Sequence, residues 1–341
     1  MNTDEARLSR NCRIILEISC RVKAGETVLI LMIQLDRQEH LSYLRSLSRA
    51  CVEMGAHPVI LDIEEYRQSP AFKEGHVNKV IKSAMESADV LIGFNTRSFD
   101  FFSRLVGETG GGRSDKYLIG ERRWMELQCD GMDKWDITSE QIAAIPRRTM
   151  WLLDLIKNAR TGRITSSLGT DFSFGLGAGS NAKPILGIVP LYGEVAVAPR
   201  PGSEEGVIVV GGPTQKQVRP RTELDREPLR IVIEKGKMRD AGGDSAQVRR
   251  LKDFIASGDP RADRVDEVGL VTTQVVENDL YWWYDGTHHH NTTHVALGNN
   301  MDKEHKVHGQ RHMDGEIVNP TITIDNVVIT KDGVFMDNII C

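Results

Sequence analysis

Residues 23–32, KAGETVLILM, decide the fold class of the N-terminal half. A turn signal at Ala24-Gly25 opens into an unbroken apolar run from Val28 to Met32. A strand that is apolar at every position has both faces buried, which is the habit of a parallel sheet covered by helices on each side. Upstream, Asp4 to Val22 reads as a helix, with Leu8, Cys12, Ile15 and Ile18 returning every three or four residues. Downstream, Glu39 to Met54 repeats that helical rhythm and stops at Gly55, and HPVILDI (57–63) gives a second buried strand. Asn78 to Ala88 is amphipathic, and ADVLIGF (88–94) is a third buried strand. Strands alternating with helices predict an α/β domain with a parallel sheet. The stretch WMELQCDGMDKWDIT (124–138) and a helix from Ser139 to Lys157, interrupted by Pro146, lead out of it.

From about Arg163 the texture changes. Short strand-like segments follow one another with turns between: GRITSSL, TDFSFGL, ILGIVP, GEVAVAP, GVIVVGG, LRIVIEKGKM, GLVTTQVV and PTITIDNVVIT. Only Gly242 to Ser257 reads as helix. The expectation is an α/β scaffold domain over residues 1–160 and a β-rich α+β domain over 161–341 that carries the chemistry.

The 341 residues leave ample room for two cores. A net charge of −5 argues against a chain built to coat nucleic acid. The basic segment VRPRTELDR, with Arg219, Arg221 and Arg226, is interleaved with acids and reads as a solvated loop. No apolar run approaches the ~20 residues that span a membrane, and the polar start MNTDEARLSRNCR lacks a signal-peptide core. Five cysteines, Cys12, Cys20, Cys51, Cys129 and Cys341, are widely spaced with no C-x-x-C. Free thiols in a reducing cytoplasm fit that pattern, and a cysteine-held metal does not. Nucleotide motifs are absent too: the junction LMIQLDRQEHL has no glycine, and Gly107 to Ser114 has Arg113 where a phosphate loop needs lysine. Gly175, Gly177 and Gly179 read as a bend between strands.

The chemistry concentrates in Asp285 to Gly315, DGTHHHNTTHVALGNNMDKEHKVHGQRHMDG. Of the ten histidines, His288, His289, His290, His294, His305, His308 and His312 lie here. Imidazole is the commonest protein metal ligand and the side chain most easily poised to move protons near neutral pH. If a strand begins at His312-Met313-Asp314, residues i and i+2 share a face, so His312 and Asp314 could bind one cation. A helical reading of His305, His308 and His312 would instead place three imidazoles on one face. Glu194 in LYGEVAVAP and Glu267 in VDEVGLV are carboxylates set among apolar neighbours. Such a group is costly to bury unless it pairs or binds a cation. Tyr281 to Tyr284 precede the histidines and would wall a flat substrate, or build a core strand.

GTDFSFGLG (169–177), YGEVAVAP around Glu194, IEKGKM from Ile233, VDEVGLV around Glu267, NTTHVALGN around His294 and the final HMD together resemble the thermophilic-type leucyl aminopeptidases, the aminopeptidase T family. The same order of elements is similar to 2,5-dihydroxypyridine 5,6-dioxygenase, an iron enzyme on a related scaffold. The aminopeptidase resemblance implies metal ligands at Glu194, Glu267, His294, His312 and Asp314. It also implies a homodimer and a small-molecule substrate such as an amide, amino-acid derivative or ring amide. The cofactor would be one or two divalent ions, Zn, Mn or Co, activating a water, with His288, His289, His290 or His308 as base or substrate-orienting group. Asp325 or Asn326 would fix imidazole tautomers. This sequence departs from the aminopeptidases at His289, where they have glutamate, and at Met301, where they have tyrosine. The dioxygenase resemblance implies a single Fe(II) on His312, Asp314 and one further ligand, and there the family's first histidine falls on Glu267.

Overall fold

The computed structural model describes residues 3–32, 38–70, 78–94, 123–127, 129, 131–186, 191–211, 228–242, 246–273, 291–298 and 312–340. They form two compact units. The first runs to Pro146 and also takes Ile185–Tyr192; most of the second follows from Arg147.

In the first unit, α1 (Thr3–Ile14) continues into a π-helical turn, Ile15–Ser19, and leads to β1 (Thr27–Met32). Next come α2 (Gln38–Glu53), β2 (His57–Asp62), the short α3 (Glu64–Gln68), α4 (Lys79–Ser87), β3 (Val90–Phe94) and β4 (Arg123–Leu127). The sheet order is β2-β1-β3-β4, parallel at every pairing, and β1 and β3 are buried along nearly their whole length. β2 corrects the expectation of a second buried strand: it lies at the sheet edge, with a neighbour on one side only, and Val59 and Ile60 are exposed. Asn78 caps α4, its side chain accepting the Val80 N–H at 2.8 Å, which satisfies one of the donors a helix start leaves open. The fourth strand corrects the sequence reading, which ran Trp124 onward out of the domain. Arg123 at one end and the buried Glu126 within break the apolar run that marks a parallel strand.

A polar strut holds this unit together. Asn11, fully buried on α1, donates from Nδ2 to the carbonyls of Met132 at 2.8 Å and Trp135 at 2.7 Å. It fastens the helix to the turn that carries the buried Trp135.

The second unit contains two sheets. The larger is built from β5 (Thr161–Thr165), β6 (Asp171–Gly175), β9 (Glu205–Val210), β10 (Leu229–Glu234), β11 (Lys237–Gly242), β15 (Thr321–Ile324), β16 (Val327–Lys331) and β17 (Val334–Phe335), in the order β11-β10-β9-β6-β5-β15-β16-β17. The smaller comprises β7 (Asn181–Leu186), β8 (Gly193–Ala198), β12 (Val265–Val271), β13 (Thr292–Gly298) and β14 (His312–Val318), in the order β14-β13-β12-β8-β7. One apolar core takes Phe172, Phe174, Ile208 and Ile231 from the larger sheet and Val195, Val197, Val268, Leu270, Val295 and Ile317 from the smaller. The helices α5 (Ser139–Asn158) and α6 (Ala246–Ile255) add Leu152, Ile156, Val248 and Leu251 to it. The arrangement is that of two sheets burying one face each.

Two single segments in the sequence reading are hairpins. LRIVIEKGKM turns at Lys235-Gly236, both at positive φ, and PTITIDNVVIT turns at Asp325, φ 49°. Among the described residues no helix is long and apolar enough to cross a membrane.

Removing the Asn11 amide strands two buried carbonyls. Asn11→Ala is expected to lower the unfolding free energy by about 2–4 kcal/mol, read as a shifted midpoint in urea denaturation; an unchanged midpoint would show that water replaces the strut.

Candidate metal centre

The five-stranded sheet has one apolar face and one polar face, and strand alternation assigns each residue to its side. In β8, Val195 and Val197 enter the core while Glu194, Ala196 and Ala198 turn the other way. In β13, Val295 and Leu297 are core, which turns His294 and Ala296 outward; in β14, Ile317 is core, and His312, Asp314 and Glu316 alternate on the opposite side.

β12 needs a correction of phase to join them. The register of its pairing with β13 shifts between Val265 and Glu267, so Asp266 is the extra residue of a β-bulge. Both Val265 and Val268 consequently reach the core, and Glu267 and Gly269 face the site. Asp266 is held by Arg261, whose Nε donates to its carboxylate at 2.8 Å with a second guanidinium contact beside it.

The cross-strand registers then bring the donors together. Gly269 stands between Ala196 of β8 and His294 of β13, and His294 is paired with Glu316 of β14. One row over, Ala296 lies between Glu267 and Asp314. Small residues among large donors are a steric requirement here. A Cβ at Gly269 would occupy the space of the His294 imidazole itself.

His294 Nε2 is 3.7 Å from Glu194 Oε1 and 3.9 Å from Glu267 Oε1. His312 Nε2 is 3.8 Å from Glu267 Oε2 and 2.8 Å from Asp314 Oδ1. Glu194, Glu267 and His294 offer ligand atoms within 4.8 Å of one another. All five residues inferred as metal ligands therefore lie on one face, and Glu267 is shared between the two imidazoles. Glu194, His294, Asp314 and Glu316 are at most 2 % exposed; the His312 side chain, 28 % exposed, is the open edge of the cluster.

Burial strongly disfavours a charged imidazole at His294, yet the Glu194, Glu267 and Asp314 carboxylates overcome it and push its pKa up to about 10. Burial likewise works against ionised Glu267, but the adjacent imidazoles of His294 and His312 hold its pKa below the ordinary value. The protein on its own thus places a positive charge among these acids. A divalent cation supplies the same compensation, and a mixed imidazole–carboxylate donor set suits a divalent ion. The residues present fit a metal.

Other expectations fall elsewhere. His288, His289, His290, His305, His308, Met301 and Tyr281 to Tyr284 lie outside the described residues. His312 opens a strand, so the helical grouping with His305 and His308 is not formed at its end. Among the described residues Asp325 orients no imidazole: its Oδ1 accepts the backbone N–H of Arg160 at 3.1 Å and of Thr161 at 2.9 Å, and Asn326 is exposed at the same hairpin turn. Glu316 was missed by the sequence reading. Extending the alternation from His312 and Asp314 by two more residues would have found it.

The class is that of a chain with one parallel α/β unit and one two-sheet unit that carries a possible metal site, a fold shared with solved enzymes. The family model NicX, 2,5-dihydroxypyridine 5,6-dioxygenase, matches residues 143–337, more than half of the chain, and the chain belongs to that family. Among solved structures, the 2,5-dihydroxypyridine dioxygenase from Pseudomonas putida KT2440 matches with a TM-score of 0.64 and 18% identity over 97% of each chain. AmpT from Thermus thermophilus matches with a TM-score of 0.58 and 12% identity, over 97% of this chain and 99% of its own. At such identities the likeness is one of fold. No curated protein matches the sequence.

Two outcomes follow from the geometry. Gly269→Ala displaces the His294 ring, and metal affinity should fall by about tenfold or more in a metal titration while the β-sheet circular dichroism persists. For chelator-treated protein the sign runs from the raised pKa of His294. Its stabilising contribution is full below the unfolded value of 6.5 and is lost as pH rises through about 10. The unfolding midpoint should therefore fall from pH 7 to pH 10, and His294→Gln should flatten that fall.

Proposed function

We propose that this protein is a metal-dependent hydrolase that cleaves a small amide, amino-acid derivative or ring amide. One observation carries the reading. The two oxygens of Glu267 face different imidazoles, Oε1 toward His294 and Oε2 toward His312. The donors thereby fall into two groups, Glu194 with His294 and Asp314 with His312, joined by one carboxylate. Such an arrangement suits a pair of divalent ions better than one. The donor count supports it as well: Glu194, Glu267, Asp314 and Glu316 bring four carboxyl groups to a buried face, and an ionised carboxylate left there uncompensated costs several kcal/mol.

Bound divalent ions would polarise the substrate carbonyl and make a water nucleophilic near neutral pH. The chain's own part is to hold and orient. Glu267 keeps the two donor groups in register, while Gly269, Ala196 and Ala296 leave the space that the donors fill. His312 lies at the exposed edge, where a substrate meets the cluster. His289, His290 and His308 are the proposed proton-moving groups, and a homodimer is the proposed assembly.

A second reading is favoured by the family match. His294, His312 and Asp314 make a two-histidine, one-carboxylate set of the kind that holds Fe(II) in oxygenases. Glu267 would then stand where the iron enzymes have histidine, and the protein would open a hydroxylated ring with O₂.

Metal analysis of protein purified without added metal, with assays on amino-acid amides and on 2,5-dihydroxypyridine, separates the two. The hydrolase reading expects about two Zn, Mn or Co per chain and amide cleavage. It also expects a loss of about a hundredfold or more in kcat for Glu194→Gln and Glu267→Gln, with the fold intact. One Fe per chain with ring-dependent O₂ uptake overturns it.

A further inference from the structure

The strand that carries Glu267 is fixed at its start by the turn 259–264. Within the turn, the Arg261 N–H donates to Asp259 Oδ1 at 3.0 Å and the Arg264 N–H to the Arg261 carbonyl at 2.9 Å. The Met238 N–H donates to the Asp263 carbonyl at 2.7 Å and the Val265 N–H to the Gly236 carbonyl at 3.0 Å, which ties the turn to the β10–β11 hairpin of the larger sheet. At the end of β13 the Gly298 N–H donates to the Arg264 carbonyl at 2.9 Å. Val265 and Glu267 are both in register with β13, and Asp266 between them lies outside that register. Arg261 grips its carboxylate through Nε and a second guanidinium nitrogen, and both side chains are buried. A third buried group stands behind the arginine. Glu204, just before β9, has its Oε2 without a hydrogen-bond partner among the described residues. That oxygen reaches under Gly236, where a Cβ would stand 2.7 Å from it. With Arg261, Arg264 and Asp266, Glu204 lines a cavity of about 20 Å³, the size of one water. Both acids favour the charged guanidinium, Asp266 through its hydrogen bond and Glu204 through its charge.

We propose that Arg261 is a positioning residue of the metal centre: clasped to Asp266 and backed by Glu204, it sets where the Glu267 carboxylate stands between the two imidazoles. The inference rests on the metal-centre reading above and goes beyond it to the residue that controls metal affinity without touching the metal. Stability alone does not account for such a cluster, because replacing a buried ion pair by apolar side chains of similar volume often leaves a protein as stable or more so. Direction is what the pair supplies. Two parallel hydrogen bonds set the plane of the Asp266 carboxylate, and one peptide bond joins Asp266 to Glu267. Glu267 in turn has the most exacting placement in the cluster, since its two oxygens face different imidazoles at 3.9 and 3.8 Å. A lysine in place of Arg261 keeps the charge and loses the plane, because an ammonium is a point charge.

Titration of chelator-treated protein with Co²⁺ tests the proposal through affinity and through the visible absorption of the bound ion, which reports ligand geometry rather than turnover. Arg261→Lys should bind Co²⁺ about tenfold more weakly, or worse, with an altered visible band and a urea midpoint close to that of the wild type. Arg261→Met combined with Asp266→Leu removes both charges of the pair. It should match the wild type in urea yet bind Co²⁺ as weakly as Arg261→Lys. Wild-type affinity and band in Arg261→Lys, full affinity in the apolar pair, no Co²⁺ binding by the wild type, or failure of both variants to fold overturns the proposal. Weaker Co²⁺ binding in the variants, with no amide cleavage by the wild type, sinks the hydrolase reading and leaves Arg261 in its role. Amide cleavage with Co²⁺ affinity unmoved by Arg261→Lys gives the reverse.

Discussion

Carboxylates turned toward one buried face repel one another and lose their hydration, and everything around this site answers that cost. The apolar core between the two sheets fixes which way each strand residue points. That alternation in turn forces Glu194, Glu267, Asp314 and Glu316 onto the same side as His294 and His312. Opposite charge must be present before such a face can exist. The pKa of His294, lifted to about 10, shows the protein meeting that demand from its own side chains, and the donor set shows how a divalent ion would meet it.

Space is the second constraint, subordinate to the first. An imidazole in the middle of a sheet face collides with a neighbouring strand unless that strand offers a glycine, and Gly269 does so. Ala196 and Ala296 extend the opening to either side. The bulge at Asp266 shifts β12 by one residue, which aims Glu267 between the two histidines, and Arg261 neutralises the residue so displaced. A fold shared with a 2,5-dihydroxypyridine dioxygenase and with AmpT at 18% and 12% identity fits this view. The two-sheet frame persists, while the identity of a few residues on one face sets the chemistry.

Much of the architecture was legible because burial imposes simple periods. The apolar runs 28–32 and 90–94 can be accommodated only in covered strands, and they lie in the two inner strands of the parallel sheet. β4 escaped because Arg123 and Glu126 break its apolar run, and the hairpins at Lys235 and Asp325 because single residues at positive φ leave little trace in composition. Glu316 lay outside the expected ligand set although it continues the His312, Asp314 alternation.

The sequence by itself determined which residues had the right chemistry: histidine beside acid in HMD, and glutamates in strands otherwise apolar. It also determined the parallel α/β character of the first half, since hydrophobic period is a local property. Only the tertiary structure decided that side chains more than a hundred residues apart share one face, and that Glu267 lies between two imidazoles. Strand register and the bulge at Asp266 are set by pairing between distant segments, and no local pattern encodes a pairing partner.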